Sequence, residues 1–148
     1  MSAEENGKIL SDLHVAINNR DLDRAMSLFA EDATLIVMPG GTCYTTEQIR
    51  KYIEKLLTNF PKYVFRDIQP PVVSGDMATH EYMVDVGLKD GRQGSVPSVV
   101  VAEFRNHRIT QMRVYLDKLE AAKQLAKGLV AKRAVASVAK QVEALVNP

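Results

Sequence analysis

The chain has 148 residues, an apolar fraction of 46%, a charged fraction of 25% and a formal net charge of +1. This length predicts one domain, large enough for a hydrophobic core or a ligand cavity. A nearly neutral chain does not favour a nucleic-acid surface over the whole molecule, so we expect no nucleic-acid partner.

Cysteine content, hydropathy and short motifs predict where in the cell the protein lies and whether it binds a cofactor or a metal. Cys43 is the single cysteine, so no intramolecular disulfide can form. The first residues are polar and acidic, unlike a secretory signal, and no run approaches the ~18 apolar residues of a membrane helix. We therefore predict a cytoplasmic protein without a membrane partner. The absence of a Gly-rich phosphate loop and of a His–carboxylate motif at ligand spacing predicts no cofactor and no metal.

The first 60 residues predict three helices and one strand. Apolar residues at helical spacing predict a helix over 4–20, and Asp21 is a candidate N-cap for a second helix that ends at Glu31–Asp32. A short strand over 34–38 follows. Thr45, with Gln48 three residues later, predicts a capped third helix that stops before Pro61.

The period of the apolar pattern changes to two after residue 62. Four strands are predicted, over 63–73, 77–89, 97–105 and 108–117, and their short connections imply a curved antiparallel sheet. Helices that precede such a sheet and cover one face give an α+β fold with a cone-shaped cavity. Residues 118–146 predict one long basic helix, and we divide the chain into a domain over 1–125 and a helical extension over 126–148.

Two aspartates interrupt or close apolar strands. A carboxylate at a half-buried strand position is costly unless it is paired or functional, and this applies to Asp85 and Asp117. If both point into the cone, desolvation and mutual repulsion raise at least one pKa and give an acid–base pair. Two structural alternatives remain: Asp117 caps the final helix, and Asp85 faces solvent or pairs with Arg113.

The order of these motifs resembles the SnoaL-like branch of the NTF2-like superfamily. The resemblance rests on the segments over 19–25, 28–33 and 114–117, and it spans about residues 8–125. It implies a cystatin-like α+β cone. Such families include polyketide cyclases, ketosteroid isomerases and proteins without known activity, so the resemblance does not define a reaction.

Limonene-epoxide-hydrolase-like proteins resemble the chain more closely at the two aspartates. The resemblance implies Asp85 and Asp117 as catalytic residues. It also implies substrate contacts from residues near them, namely Leu35, Val37, Met83 and Tyr115. Leu35 and Val37 stand where those proteins hold a water with polar side chains, and Met83 replaces a bridging arginine. Isomerase or cyclase chemistry on a small apolar molecule is therefore favoured over epoxide hydrolysis.

Three functional hypotheses follow from the sequence. The first is an acid–base enzyme, the second a non-catalytic ligand-binding or dimerisation module, and the third an adaptor that binds a partner through its C-terminal helix. A homodimer is expected through an exposed sheet face that carries Ser98, Val100, Ala102 and Phe104. Of the histidines, His80 is predicted to be a satisfied core or interface residue, whereas His14 and His107 are predicted to be solvated.

Overall fold

The computed structural model describes residues 3–146. In it, helices pack against one face of a bent sheet. The helices are α1 (Ala3–Asn18), α2 (Leu22–Ser27), α3 (Thr46–Asn59), α4 (Lys118–Leu125) and α5 (Leu129–Val146). The strands are β1 (Phe29–Met38), β2 (Gly41–Cys43), β3 (Lys62–Asp67), β4 (Val72–Ser74), β5 (Met77–Gly87), β6 (Gln93–Arg105) and β7 (Arg108–Leu116).

One sheet contains all seven strands. Its order is β2-β1-β7-β6-β5-β3, and β4 also pairs with β5. Strand β1 runs parallel to β7, whereas the other pairs are antiparallel. The α+β class predicted from the sequence is confirmed. The parallel pair joins elements that are far apart along the chain and therefore has no local sequence signal.

The inner face of the sheet forms the core with α1 and α3. Along β5 the buried side chains alternate with exposed or half-buried ones, so that His80, Tyr82 and Val84 point inward and Met83 and Asp85 point outward. The core also takes side chains from the helices and the other strands: Leu10, Leu13, Leu35, Ile49, Val100 and Ile109 are almost completely buried.

Several predicted boundaries change in the structure. Helix α2 ends at Ser27, so Glu31–Asp32 belong to strand β1 rather than to a helix end. The predicted strand 63–73 is divided into β3 and β4 around Pro70 and Pro71, since proline cannot donate to the ladder.

The predicted helix over 118–146 is divided as well. Helix α4 ends at Leu125 and α5 begins at Leu129, and between them Gly128 adopts φ +86°, which a helix cannot contain. This break lies close to the predicted domain boundary at 125/126. The independence of the extension stays a prediction.

The outer sheet face differs from the dimer patch predicted from the sequence. Ser98, Val100, Ala102 and Phe104 are buried in the core, so that choice of face is wrong. The opposite face exposes apolar side chains, among them Val99 and Tyr115, which pair across β6 and β7. No helix in the described range 3–146 combines the length and apolarity needed to cross a membrane.

Candidate functional site: an apolar cavity inside the cone

The inner face of the sheet lines a partly open cavity of about 510 Å³ together with α3, α4 and β2. This volume suits a drug-sized molecule. Apolar side chains make most of its wall: Val37, Leu56, Phe60, Val84, Val86, Val96, Leu116, Ala121 and Leu125.

Helices α3 and α4 position their part of the wall through capped N-termini. The Thr45 hydroxyl accepts a hydrogen bond from the Gln48 backbone N–H at 3.2 Å, and the Tyr44 N–H donates to the Gln48 side chain at 2.7 Å. The predicted N-cap at Thr45 is confirmed, but Gln48 accepts from the backbone N–H of Tyr44 and not from that of Thr45, as a capping box would require. The apolar stripe of α3 then turns Leu56 toward the sheet, where it lines the cavity.

Few polar groups face the cavity. Burial raises the pKa of Tyr52 and of Tyr63, so both phenols stay protonated at neutral pH and can donate a hydrogen bond to a bound acceptor. Burial also raises the pKa of the Cys43 thiol. Lys118 brings a cation to the wall and donates to the Pro39 carbonyl. Among the described residues that line this cavity there is no carboxylate.

A smaller inner space of about 40 Å³ lies next to the main cavity and shares Tyr52, Leu56, Tyr63 and Leu116 with its wall. His14 of α1 lines this space. Its imidazole stacks on Phe65, with centroids 4.2 Å apart. Burial first, and the neighbouring His80 second, lower the pKa of His14 to about 3, so the ring is neutral at physiological pH.

Asp85 lies on the outer face of the sheet. Its two carboxylate oxygens accept hydrogen bonds from the Arg66 guanidinium, both at 3.1 Å, and Oδ1 accepts a third from the Ser95 hydroxyl at 2.5 Å. The hydrogen bonds from Arg66 and then from Ser95 lower the pKa of Asp85. The pairing predicted with Arg113 does not form, since Arg113 contacts Glu103 instead.

Asp117 caps helix α4. Its side chain accepts a hydrogen bond from the Glu120 N–H at 2.8 Å, which confirms the predicted capping role. Neither Asp85 nor Asp117 lines the cavity, so the structure corrects the expectation that both carboxylates point into the cone. A catalytic role for either aspartate stays a prediction.

The predicted substrate-binding residues are divided between the two faces of the sheet. Val37 lines the main cavity, and Leu35 lines the inner space. Met83 lies on the outer face of β5, and Tyr115 is 43% exposed on the outer face of β7. Met83 and Tyr115 were expected to contact the ligand, but they lie on the outer face of the sheet. Successive side chains of a strand point to opposite faces, so their neighbours Val84 and Val114 point inward instead.

Most wall residues were not identified from the sequence, among them His14 and Tyr52. His14 was predicted to be solvated, but it is buried. It follows Leu13 and precedes Ile17 by three positions, so it lies on the apolar stripe of α1 and this spacing could have revealed it. Tyr52 occupies the equivalent place in α3, three residues after Ile49.

The fold and its internal cavity define a cone-shaped α+β domain of the NTF2-like type. A family model described as the SnoaL-like domain matches residues 11–112, and the chain belongs to this family. No curated protein matches the chain significantly.

Solved structures share the fold at low sequence identity. An NTF2-like protein of unknown function from Burkholderia pseudomallei is 19% identical, covering 86% of this chain and 100% of its own, with a TM-score of 0.75. IdmH of Streptomyces antibioticus, a proposed polyketide cyclase, is 20% identical, covering 82% and 99%, with a TM-score of 0.73. A Catenulispora acidiphila protein with a ketosteroid isomerase-like fold, in complex with trimethylamine, is 20% identical, covering 78% and 90%, with a TM-score of 0.73.

Proposed function

We propose that this chain binds a small, largely apolar molecule inside the cone. The observation that carries the proposal is the cavity of about 510 Å³, whose wall is almost entirely apolar. Burial of a ligand against such a wall is favoured by about 25 cal/mol per Å² of apolar surface removed from water. That driving force needs no charged partner on the ligand.

The few polar wall groups restrict the ligand further. Tyr52 and Tyr63 can donate hydrogen bonds, and Lys118 supplies both a donor and a positive charge. These groups suit a carbonyl, phenolate or carboxylate oxygen at one end of an apolar body. A cationic ligand such as the trimethylamine of the Catenulispora protein fits this set less well, because no described wall residue offers a carboxylate.

Isomerase or cyclase chemistry is the second candidate function. Phenols with raised pKa values can polarise a carbonyl, but a proton-transfer reaction also needs a base. Asp85 and Asp117 lie outside the cavity wall, and burial lowers the pKa of His14 in the inner space to about 3, so this imidazole is a weak base. This candidate function predicts that an enolisable ligand bound to the native chain exchanges C–H protons with solvent deuterium, detected by NMR; a bound ligand that does not exchange would contradict it.

A pair of substitutions on strand β5 tests ligand binding in the cavity. Val86→Phe places a larger side chain in the cavity, whereas Met83→Phe makes a similar change on the outer face of the same strand. We expect Val86→Phe to weaken binding of an apolar fluorescent probe at least about tenfold, and Met83→Phe to leave it within about twofold.

Circular dichroism on both variants shows whether the fold is retained. Equal loss of probe binding in two folded variants, or undiminished binding in Val86→Phe, would contradict the proposed location. A stronger effect of Met83→Phe would instead support the outer-face residues that the sequence suggested.

A further inference from the structure

Three side chains with metal-binding chemistry meet where α1 crosses the sheet. His14 comes from α1, Asp67 ends β3, and His80 lies on the inner face of β5. Residues 67 and 80 lie on adjacent strands, and the His14 and His80 rings stack with centroids 5.0 Å apart. The three residues are distant in sequence, so only the tertiary fold brings them together.

Their ligand atoms form a small triangle. Asp67 Oδ1 lies 3.3 Å from His80 Nε2 and 3.9 Å from His14 Nδ1, and the three ligand atoms are all within 4.8 Å of one another. Tetrahedral zinc holds nitrogen and oxygen ligands at about 2.0–2.2 Å, which places adjacent ligand atoms roughly 3.3–3.6 Å apart. Asp67 Oδ1 and His80 Nε2 already have this separation, and a rotation that brings His14 Nδ1 closer would close the triangle around one ion.

Three nitrogens of the two buried imidazoles have no hydrogen-bond partner. The side chains of His80 and His14 are 0% and 7% exposed. His14 Nδ1 and both ring nitrogens of His80 have no hydrogen bond. A buried polar atom left without a partner costs about 1–3 kcal/mol, so these nitrogens need an explanation. A bound ion would satisfy His14 Nδ1 and His80 Nε2 together.

We propose that His14, Asp67 and His80 bind a divalent transition metal, with zinc as the best match to two imidazoles and one carboxylate. Asp67 is 57% exposed, so the ion can enter from solvent at the carboxylate. Three protein ligands leave a fourth position for water or another small ligand. This proposal differs from the metal-free expectation from the sequence, and it does not depend on which molecule the main cavity binds.

Zinc binding by the untagged chain of 148 residues tests the proposal. The chain is first freed of metal, and Zn²⁺ is then titrated in competition with a chromophoric chelator. We expect one Zn²⁺ per chain, and Co²⁺ in its place should give the absorption of a tetrahedral nitrogen–oxygen site. Asp67→Asn should weaken zinc binding at least about tenfold, since even the loss of a partner to a metal ligand costs 10–100-fold.

The variants separate the loss of a metal ligand from the loss of the fold. Asp67→Asn changes an exposed side chain and should leave the fold intact, whereas His80→Ala removes a buried ring and can destabilise the chain. His107→Ala, in the exposed turn before β7, and Asp85→Asn, on the outer face, serve as histidine and carboxylate controls and should bind zinc like the native chain. A native chain that binds no zinc, or equal affinities in Asp67→Asn and the controls, would overturn the proposal.

Discussion

At the scale of single residues, Asp85 shows how a carboxylate in a strand can be structural. Arg66 and Ser95 together donate three hydrogen bonds to it, and its side chain is 21% exposed. Hydrogen bonds to an ionised group are stronger than neutral ones, although exposure of Arg66 screens this pair. These hydrogen bonds are a sufficient structural reason for an aspartate at this strand position, and no catalytic role is needed to account for it.

Asp85→Asn should lower the free energy of unfolding by about 1 kcal/mol at pH 7, because the amide keeps only part of the hydrogen bonding. The folded-state pKa of Asp85 lies below the ordinary value of 3.8, so its contribution is present above pH 3.8 and is lost as the pH falls through the folded-state pKa. Urea unfolding at pH 7, 5 and 3 should show the difference from the native chain at the two higher values and its decrease at pH 3.

Asp23→Asn is the matched control, because Asp23 forms an exposed ion pair with Arg50 and should contribute little. Probe binding to Asp85→Asn should stay within about twofold of the native value. A folded, equally stable Asp85→Asn that no longer binds the probe would show instead that Asp85 acts in the ligand site.

At the scale of elements, α4 and α5 have different roles although the sequence joins them. Helix α4 packs on β6: Gln124 exchanges hydrogen bonds with the backbone of Ser95, and Ala121 and Leu125 line the cavity. Helix α5 leaves most apolar side chains exposed, and Ala139 is its one buried residue within 129–146. We infer that α4 completes the domain and that α5 adds little to its stability.

Truncation after Lys127 should therefore leave a folded domain whose thermal midpoint differs by a few degrees, equivalent to about 1 kcal/mol or less. Truncation after Asp117 also removes α4 and part of the cavity wall, and should be strongly destabilising. Thermal melts followed by circular dichroism compare the two. Unfolding of the longer truncated chain would show that α5 is integral to the fold, contrary to the prediction.

At the scale of the whole molecule, ligand binding and folding are linked. A cavity that exists only in the folded state stabilises that state when it is filled, by about 2.7 kcal/mol at a ligand concentration 100 times Kd. We expect this gain in the native chain and in Asp85→Asn but not in Val86→Phe, measured by urea unfolding with and without the probe. A similar gain in Val86→Phe would indicate binding outside the cavity.

A homodimer stays a prediction at this scale. The outer sheet face exposes Met38, Val99 and Tyr115, rather than the residues first assigned to an interface. Sedimentation velocity over a range of concentrations would measure the oligomeric state directly.

The sequence by itself determined the α+β class, the order of most elements and the N-caps at Asp21, Thr45 and Asp117, because these depend on local periodicity and on residues three positions apart. It also separated the two faces of β5. The alternation alone favours the more apolar face, with Ala78, Tyr82 and Val84, as the inward one, whereas the resemblance placed Asp85 of the opposite face in the cone.

Only the tertiary structure decided that question. Helices α1 and α3 cover the face with Tyr82 and Val84, which buries apolar surface there and leaves Asp85 outside with Arg66. The same packing brings His14, Asp67 and His80 within reach of one another. Proximity between distant segments depends on how elements pack, so it has no counterpart in local sequence.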